Sequence, residues 1–138
     1  MIWKKEFNLK DLNGNNGYYT NPFHIEFIEK GDDYLICKMP ITTIALQPMG
    51  LLHGGVSVYV AETIGSYAGF LCINDENKAA VGLDINANHI KSVKSGFIYA
   101  KAKPNHIGGK THVWSIEITN EKQELVSICR LTLAVVSI

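Results

Sequence analysis

Apolar and polar residues alternate with period two through much of the chain, the pattern of strands with one face buried. The alternating runs are His24 to Glu29, Tyr34 to Met39, Gly82 to Ile90, Phe97 to Lys103, Thr111 to Thr119 and Leu125 to Val136. Lys30-Gly31-Asp32-Asp33 suits a tight hairpin between the first two, and Pro40 ends the second. Further turns fall at Lys94-Ser95-Gly96, Ile107-Gly108-Gly109 and Asn120 to Glu124. Ile98, Ala100 and Ala102 share one face, as do Trp114, Ile116 and Ile118, while Tyr99, Lys101 and Lys103 lie opposite. Val56 to Cys72 breaks the pattern: it is apolar on almost every side and too long for a strand, which predicts a helix buried all round. The start of the chain is polar and turn-rich, punctuated by Asn13-Gly14-Asn15-Asn16-Gly17, with a short helix predicted at Leu9 to Leu12. About six antiparallel strands and one buried helix make an α+β fold in which the sheet must wrap around the helix.

With 138 residues, of which 46% are apolar, the chain has the length of one domain and the means to build a core without disulfides or metal. No repeat, low-complexity tract or linker divides it, so residues 1–138 read as a single unit. Thirteen Lys and Arg balance thirteen Asp and Glu, which removes any overall electrostatic reason to seek nucleic acid or an anionic membrane. The Met1-Ile2-Trp3-Lys4-Lys5 start lacks the apolar region of a signal peptide, and no run reaches the ~18 apolar residues of a membrane span. The expected location is the cytoplasm. Cys37, Cys72 and Cys129 show no paired C-x-x-C spacing, so buried free thiols are expected.

Glu62 is the anomaly. Desolvating a carboxylate inside an apolar helix costs several kcal/mol unless it is paired, so Glu62 must face something polar. Ser66 stands four residues on, and the two make a narrow polar stripe. Two readings stay open: a pocket, or a carboxylate meeting a lysine or backbone donor at a subunit interface. Ahead of the helix come Gln47-Pro48-Met49-Gly50-Leu51-Leu52-His53-Gly54-Gly55. Glycines at a helix start let a ligand approach the backbone, and the free N–H groups with the positive end of the helix dipole can hold a developing oxyanion. One carboxylate beside backbone donors suits acyl transfer to water. The bland alternatives are that Gly54-Gly55 is only a turn and His53 a cap or core histidine.

Other motifs fail. Gly65-Ser66-Tyr67-Ala68-Gly69 lacks the G-x-S-x-G spacing of a nucleophile elbow and lies in the helix. Gly109-Lys110-Thr111 ends like a phosphate loop, but Pro104 stands where the first glycine is required. No metal-binding spacing occurs. From Ile85 to Ile116 there are five lysines (Lys91, Lys94, Lys101, Lys103, Lys110) and three histidines (His89, His106, His112) with no acid. This run reads either as a solvated sheet face or as a docking surface for one phosphorylated ligand, with Gly108-Gly109 as an anion-binding nest.

Leu51-Leu52-His53-Gly54-Gly55-Val56-Ser57, followed by Ala61-Glu62-Thr63-Ile64-Gly65-Ser66 and Ala68-Gly69, resembles the hotdog-fold acyl-CoA thioesterases of the PaaI and Arthrobacter-type 4-hydroxybenzoyl-CoA group. The likeness is closer still to the 1,4-dihydroxy-2-naphthoyl-CoA thioesterases of menaquinone biosynthesis, and it runs nearly end to end. It implies that Glu62 is the nucleophile or general base, that the Gly54 N–H stabilises the tetrahedral charge, that Gln47 and His53 orient thioester or water, and that Ser66 lines the acyl pocket. It further implies CoA binding by Gly82, by His89, Ile90, Lys91 and Ser92, and by His106, Ile107, Gly108, Gly109, Lys110 and Thr111. Active sites shared across a homodimer, two dimers pairing into a tetramer, and no cofactor beyond the CoA of the substrate are implied as well. Lys91 and Lys110 stand where relatives often carry arginine, which keeps the charge but loses bidentate phosphate geometry. The alternatives in view are a hydratase or dehydratase on acyl thioesters, which needs a histidine such as His53 or His89 reaching the carboxylate, and a non-catalytic acyl-CoA-binding module.

Overall fold

The alternating runs become strands in a computed structural model that describes residues 1–138. The strands are β1 (Glu26–Lys30), β2 (Leu35–Pro40), β3 (Lys78–His89), β4 (Phe97–Ile107), β5 (Thr111–Thr119) and β6 (Leu125–Ser137). They form one antiparallel sheet in the order β1-β2-β4-β5-β6-β3. The helices are α1 (Leu9–Leu12) and α2 (Gly54–Leu71). Register pairs Cys37 with Ala100, Ala102 with Ile116 and Ile116 with Cys129, so the inward positions of four strands line up beneath the helix. All of these are buried, as are Val60, Ala61, Ile64 and Ala68 on the facing side of α2.

Two glycines set how closely helix and sheet approach. A Cβ on Gly65 would stand 2.5 Å from Leu131 Cδ2, and one on Gly69 would stand 2.3 Å from Leu133 Cδ1. Only a hydrogen at these positions lets α2 sink into the curve of the sheet.

Several boundaries differ from the sequence reading. β4 continues through Pro104 to Ile107, because the missing proline N–H falls where the pairing with β5 shifts register. β3 starts at Lys78 rather than Gly82, and β1 starts at Glu26 because His24 takes a left-handed φ of 57°. The larger correction concerns α2. It is buried on one side only: Glu62 and Phe70 are exposed, and the open face runs on to the edge strand β3, where Val81 and Leu83 are exposed as well.

The polar start of the chain is ordered by asparagine side chains. Asn13 forms two hydrogen bonds with the Phe27 backbone, at 2.9 and 2.8 Å, and Asn21 does the same with Ile25, at 2.9 Å each. Amide side chains thus extend the edge of β1 where no strand is available. The three cysteines are free and buried. Burial pushes the Cys37 thiol up to about 12 and those of Cys72 and Cys129 to about 11, so none is a ready nucleophile.

Candidate active site

His53 is the N-cap of α2, and it satisfies two of the four N–H groups a helix start leaves open, while its own N–H is a third. Its Nδ1 accepts from Gly55 at 2.8 Å, its carbonyl accepts from Val56 at 2.9 Å, and its own N–H donates to the Ala45 carbonyl at 2.8 Å. The fourth, Gly54 N–H, makes no hydrogen bond within the chain. A donor at the positive end of an 18-residue helix is therefore left free for a ligand. His53 was expected to orient thioester or water. In the chain it is an exposed cap whose Nδ1 is already engaged, and it lines neither of the clefts described below.

Gly54 opens into a cleft of about 260 Å³ shared with Gln47, Ser57, His89, Ile90, Lys91 and Ser92. His89 is held across it: its Nδ1 lies 2.8 Å from the Oγ of buried Ser127, and its Nε2 would be 2.8 Å from a Cβ on Gly54. Glycine at 54 leaves room for that ring. The Gln47 Oε1 accepts from the Met49 N–H within a turn closed by the Gly50 N–H on the Gln47 carbonyl, with Gly50 at φ 78°. The Gln47 amide nitrogen has no partner within the chain.

Glu62 and Ser66 share a second, separate groove of about 500 Å³, also lined by Tyr19, Val58, Tyr59, Thr63 and Tyr67. The polar stripe read from the sequence is thus a pocket wall. Glu62 is nevertheless exposed in the chain, so the desolvation cost argued above does not arise there, and no basic group lies within ion-pair distance. Gly82 faces it from β3, where a Cβ would come within 3.3 Å of the carboxylate. A register shift between Gly82 and Asp84 adds a residue to β3 at this point. Gly82, expected to touch CoA, is in the chain a neighbour of Glu62. No histidine lines the groove, so the chain by itself offers no carboxylate–histidine pair for hydration chemistry.

Eight residues of helix separate Gly54 from Glu62, about 12 Å along the axis. One thioester carbonyl cannot touch both within a single chain. The second group of expected CoA residues, His106 to Thr111, lies farther off. This hairpin precedes His112, whose Nδ1 would be 3.3 Å from a Cβ on Gly69, about 22 Å down the helix from Gly54.

The acid-free run does not make one basic surface. Lys91 pairs with Glu124 at 2.7 Å, Lys103 with Asp33 at 3.4 Å, and Lys101 lies over the Tyr34 ring at 4.3 Å. The opposing acids sit on turns distant in sequence, which is why the run looked unopposed. Lys94 and Lys110 remain without such partners. Sequence reasoning also passed over Tyr59, Thr63 and Tyr67 as pocket residues and Ser127 as the support of His89, and it finds nothing diagnostic in the Tyr18 to Phe23 stretch near the pocket, which supplies Tyr19. Ser127 carries a legible signal, a hydroxyl on an inward-facing stretch of strand, whereas Tyr19 carries none.

No group of three or more His, Cys, Asp or Glu is placed to hold a metal, and no helix is long and apolar enough to cross a membrane. The family profile described as the thioesterase superfamily matches residues 49–127, which contain both clefts' helix residues. A 1,4-dihydroxy-2-naphthoyl-CoA hydrolase of Escherichia coli is 46% identical over 136 residues, 98% of this chain and 99% of its own length. The crystal structure of a thioesterase from Haemophilus influenzae, 46% identical, superposes with a TM-score of 0.92 over 99% of this chain and 96% of that one. A mutant thioesterase from Pseudomonas aeruginosa, 37% identical, does so with a TM-score of 0.95 over the whole of both chains. End-to-end likeness in sequence and in shape, on a hotdog sheet wrapped around one helix, makes this chain a member of the thioesterase superfamily and a thioester hydrolase.

Proposed function

We propose that the chain is a cytoplasmic acyl-CoA thioesterase acting on an aromatic acyl group of the hydroxybenzoyl or 1,4-dihydroxy-2-naphthoyl type, releasing the free acid and CoA. The latter substrate would place it in menaquinone biosynthesis, the reading favoured by the Escherichia coli relative's name. The observation that carries the reading is the pairing of one unengaged backbone donor, at Gly54, with a carboxylate in a tyrosine-lined groove. The Gly54 N–H polarises the thioester carbonyl and holds the oxyanion. Glu62 either takes a proton from the water that attacks the carbonyl carbon, or attacks that carbon itself to give an anhydride that water then cleaves. In both routes the C–S bond breaks and CoA leaves as the thiol once protonated. Gln47 orients thioester or water, His53 as the helix cap fixes the turn that presents the Gly54 N–H, and Ser66 lines the acyl side.

Because Gly54 and Glu62 stand about 12 Å apart in one chain, the site combines Glu62 of one subunit with Gly54 of another in a homodimer. The exposed β3 edge, with Val81, Leu83 and the open face of α2, is the surface a second copy covers. Two dimers pair into a tetramer. CoA runs from His89 to Ser92 of the subunit that contributes Gly54 toward Gly82 and the hairpin at His106 to Thr111 of the subunit that contributes Glu62, which is near enough only when contributed by the other subunit. The test is Glu62→Gln, followed by thiol release from aryl-CoA substrates. Loss of the base or nucleophile should lower turnover at least ~10²-fold. Undiminished turnover in a folded variant refutes the assignment.

A further inference from the structure

The groove beside Glu62 has an aromatic lining that is itself pinned in place. Tyr67 stacks at an angle between Tyr19 and Phe27, with ring centroids 6.4 and 4.9 Å away, and Tyr59 packs on Phe23 at 5.1 Å. Tyr19 and Phe23 come from the asparagine-rich start of the chain, held by the Asn13 and Asn21 side-chain bonds to the backbone of Phe27 and Ile25. Planar rings fit against such edges and faces better than flexible chains do.

The hydroxyls in this lining are directed by the bonds they already make. Thr63 Oγ1 donates its one hydrogen to the Tyr59 carbonyl at 2.7 Å, which leaves only lone pairs facing the groove. Asn21 Oδ1 accepts from the Ile25 N–H at 2.9 Å while its NH2 donates to the Ile25 carbonyl, so the amide orientation is set. The Tyr19 O–H 3.3 Å from that Oδ1 is therefore the donor, and its oxygen too offers lone pairs. Burial first, and then the Tyr59 hydroxyl beside it, push the Tyr19 phenol well above the usual tyrosine range, so Tyr19 stays neutral and is no base. Two acceptors with spent hydrogens stand in one groove, and the Tyr59 hydroxyl, with a single hydrogen, can serve only one of them once a bound ring has stripped both of water.

We propose that Tyr19 and Thr63 are specificity-determining residues that select, among aryl thioesters, those whose ring carries a hydroxyl able to donate to them. The inference rests on the reading of the Glu62 groove as the acyl site. A ring hydroxyl supplies the one donor still lacking, whereas a bare ring leaves an oxygen dry and unpaired, and a methoxy group adds a further acceptor.

The experiment compares kcat/KM for benzoyl-CoA, the three monohydroxybenzoyl-CoA isomers and their methoxy counterparts, in the wild-type chain and in Tyr19→Phe, Thr63→Val and Thr63→Ser. For at least one isomer the wild type should favour the hydroxyl at least ~10-fold over both the bare and the methoxylated ring, a modest share of what a hydrogen-bonding pocket can discriminate. The ratio should fall several-fold in Tyr19→Phe and Thr63→Val and be kept in Thr63→Ser. A ratio measured within each variant is insensitive to changes in folded fraction. If the wild type hydrolyses benzoyl-CoA and all the substituted rings alike, or the ratio survives in both Tyr19→Phe and Thr63→Val, the inference fails while the aryl-CoA reading stands. If no aryl-CoA is hydrolysed, that reading fails first.

Discussion

Two lesions that each silence the enzyme should restore one another when mixed, because Gly54 and Glu62 act on the same substrate from different subunits. Glu62→Gln removes the carboxylate. Gly54→Pro removes the one N–H at the helix start that no group of the chain engages, at a first helical position where proline is well tolerated. The proline ring presses on His89 Nε2, 2.8 Å from where its Cβ would stand, but that ring end belongs to an exposed side chain. Each variant alone should lose ~10²-fold or more in turnover. Co-refolded in equal amounts, half the dimers are mixed, and each mixed dimer has one site with intact Glu62 facing intact Gly54 and one doubly damaged site. Half of the sites in half of the dimers makes about a quarter of wild-type activity, by two-fold symmetry. Thiol release from an aryl-CoA, measured before and after co-refolding, reads this directly. If the mixture is no more active than its parts, the two residues serve one site within one chain, and the 12 Å helix separation has been misjudged as prohibitive.

Two further outcomes concern stability. His112 is buried with its Nδ1 unpartnered, and burial, then the charge of His106, hold its pKa below the usual histidine value. The unfolded chain binds a proton near pH ~6.5 that the folded chain refuses, so stability is full above that pH and falls as pH drops below it. Urea unfolding at about pH 7.5 and 5.5 should show that fall in the wild type and a smaller one in His112→Leu; equal falls would remove His112 as the cause. Gly65→Ala gains up to ~1 kcal/mol of helix propensity but drives a methyl to 2.5 Å from Leu131 Cδ2 in a fully buried contact, an overpacking of ~1–3 kcal/mol. The net loss should be about 1–2 kcal/mol by urea titration, and a stabilised variant would show that the helix can lift at no cost.

The strands and the helix were legible because their signals are local. Ile98, Ala100 and Ala102 alternate whatever lies opposite, and Glu62 and Ser66 fall on one stripe of any helix through Val56 to Cys72. The same local reasoning placed Gly54 at the helix start and foresaw a donor there. What it could not see is which of the four N–H groups stays free, since that depends on His53 turning its own ring and carbonyl onto two of the others and on Ala45 accepting from the third.

Charge and coverage were decided by the tertiary structure. Lys91 meets Glu124 and Lys103 meets Asp33, partners 33 and 70 residues away, so a run without acids in the sequence carries little unpaired charge in space. Tyr19 enters the Glu62 groove only because Asn13 and Asn21 bind the chain start to β1 and its approach. The apolar circumference of α2 was read as complete burial, yet the chain's own sheet covers one side. Hydrophobicity states that a surface leaves water and says nothing about whose atoms replace the water. The sequence by itself determined the elements, the polar stripe and the helix-end donor, all set by neighbours a few residues apart; the pairing of lysines, the makeup of the acyl groove and the uncovered face of α2 depend on contacts between distant segments, which only the folded chain specifies.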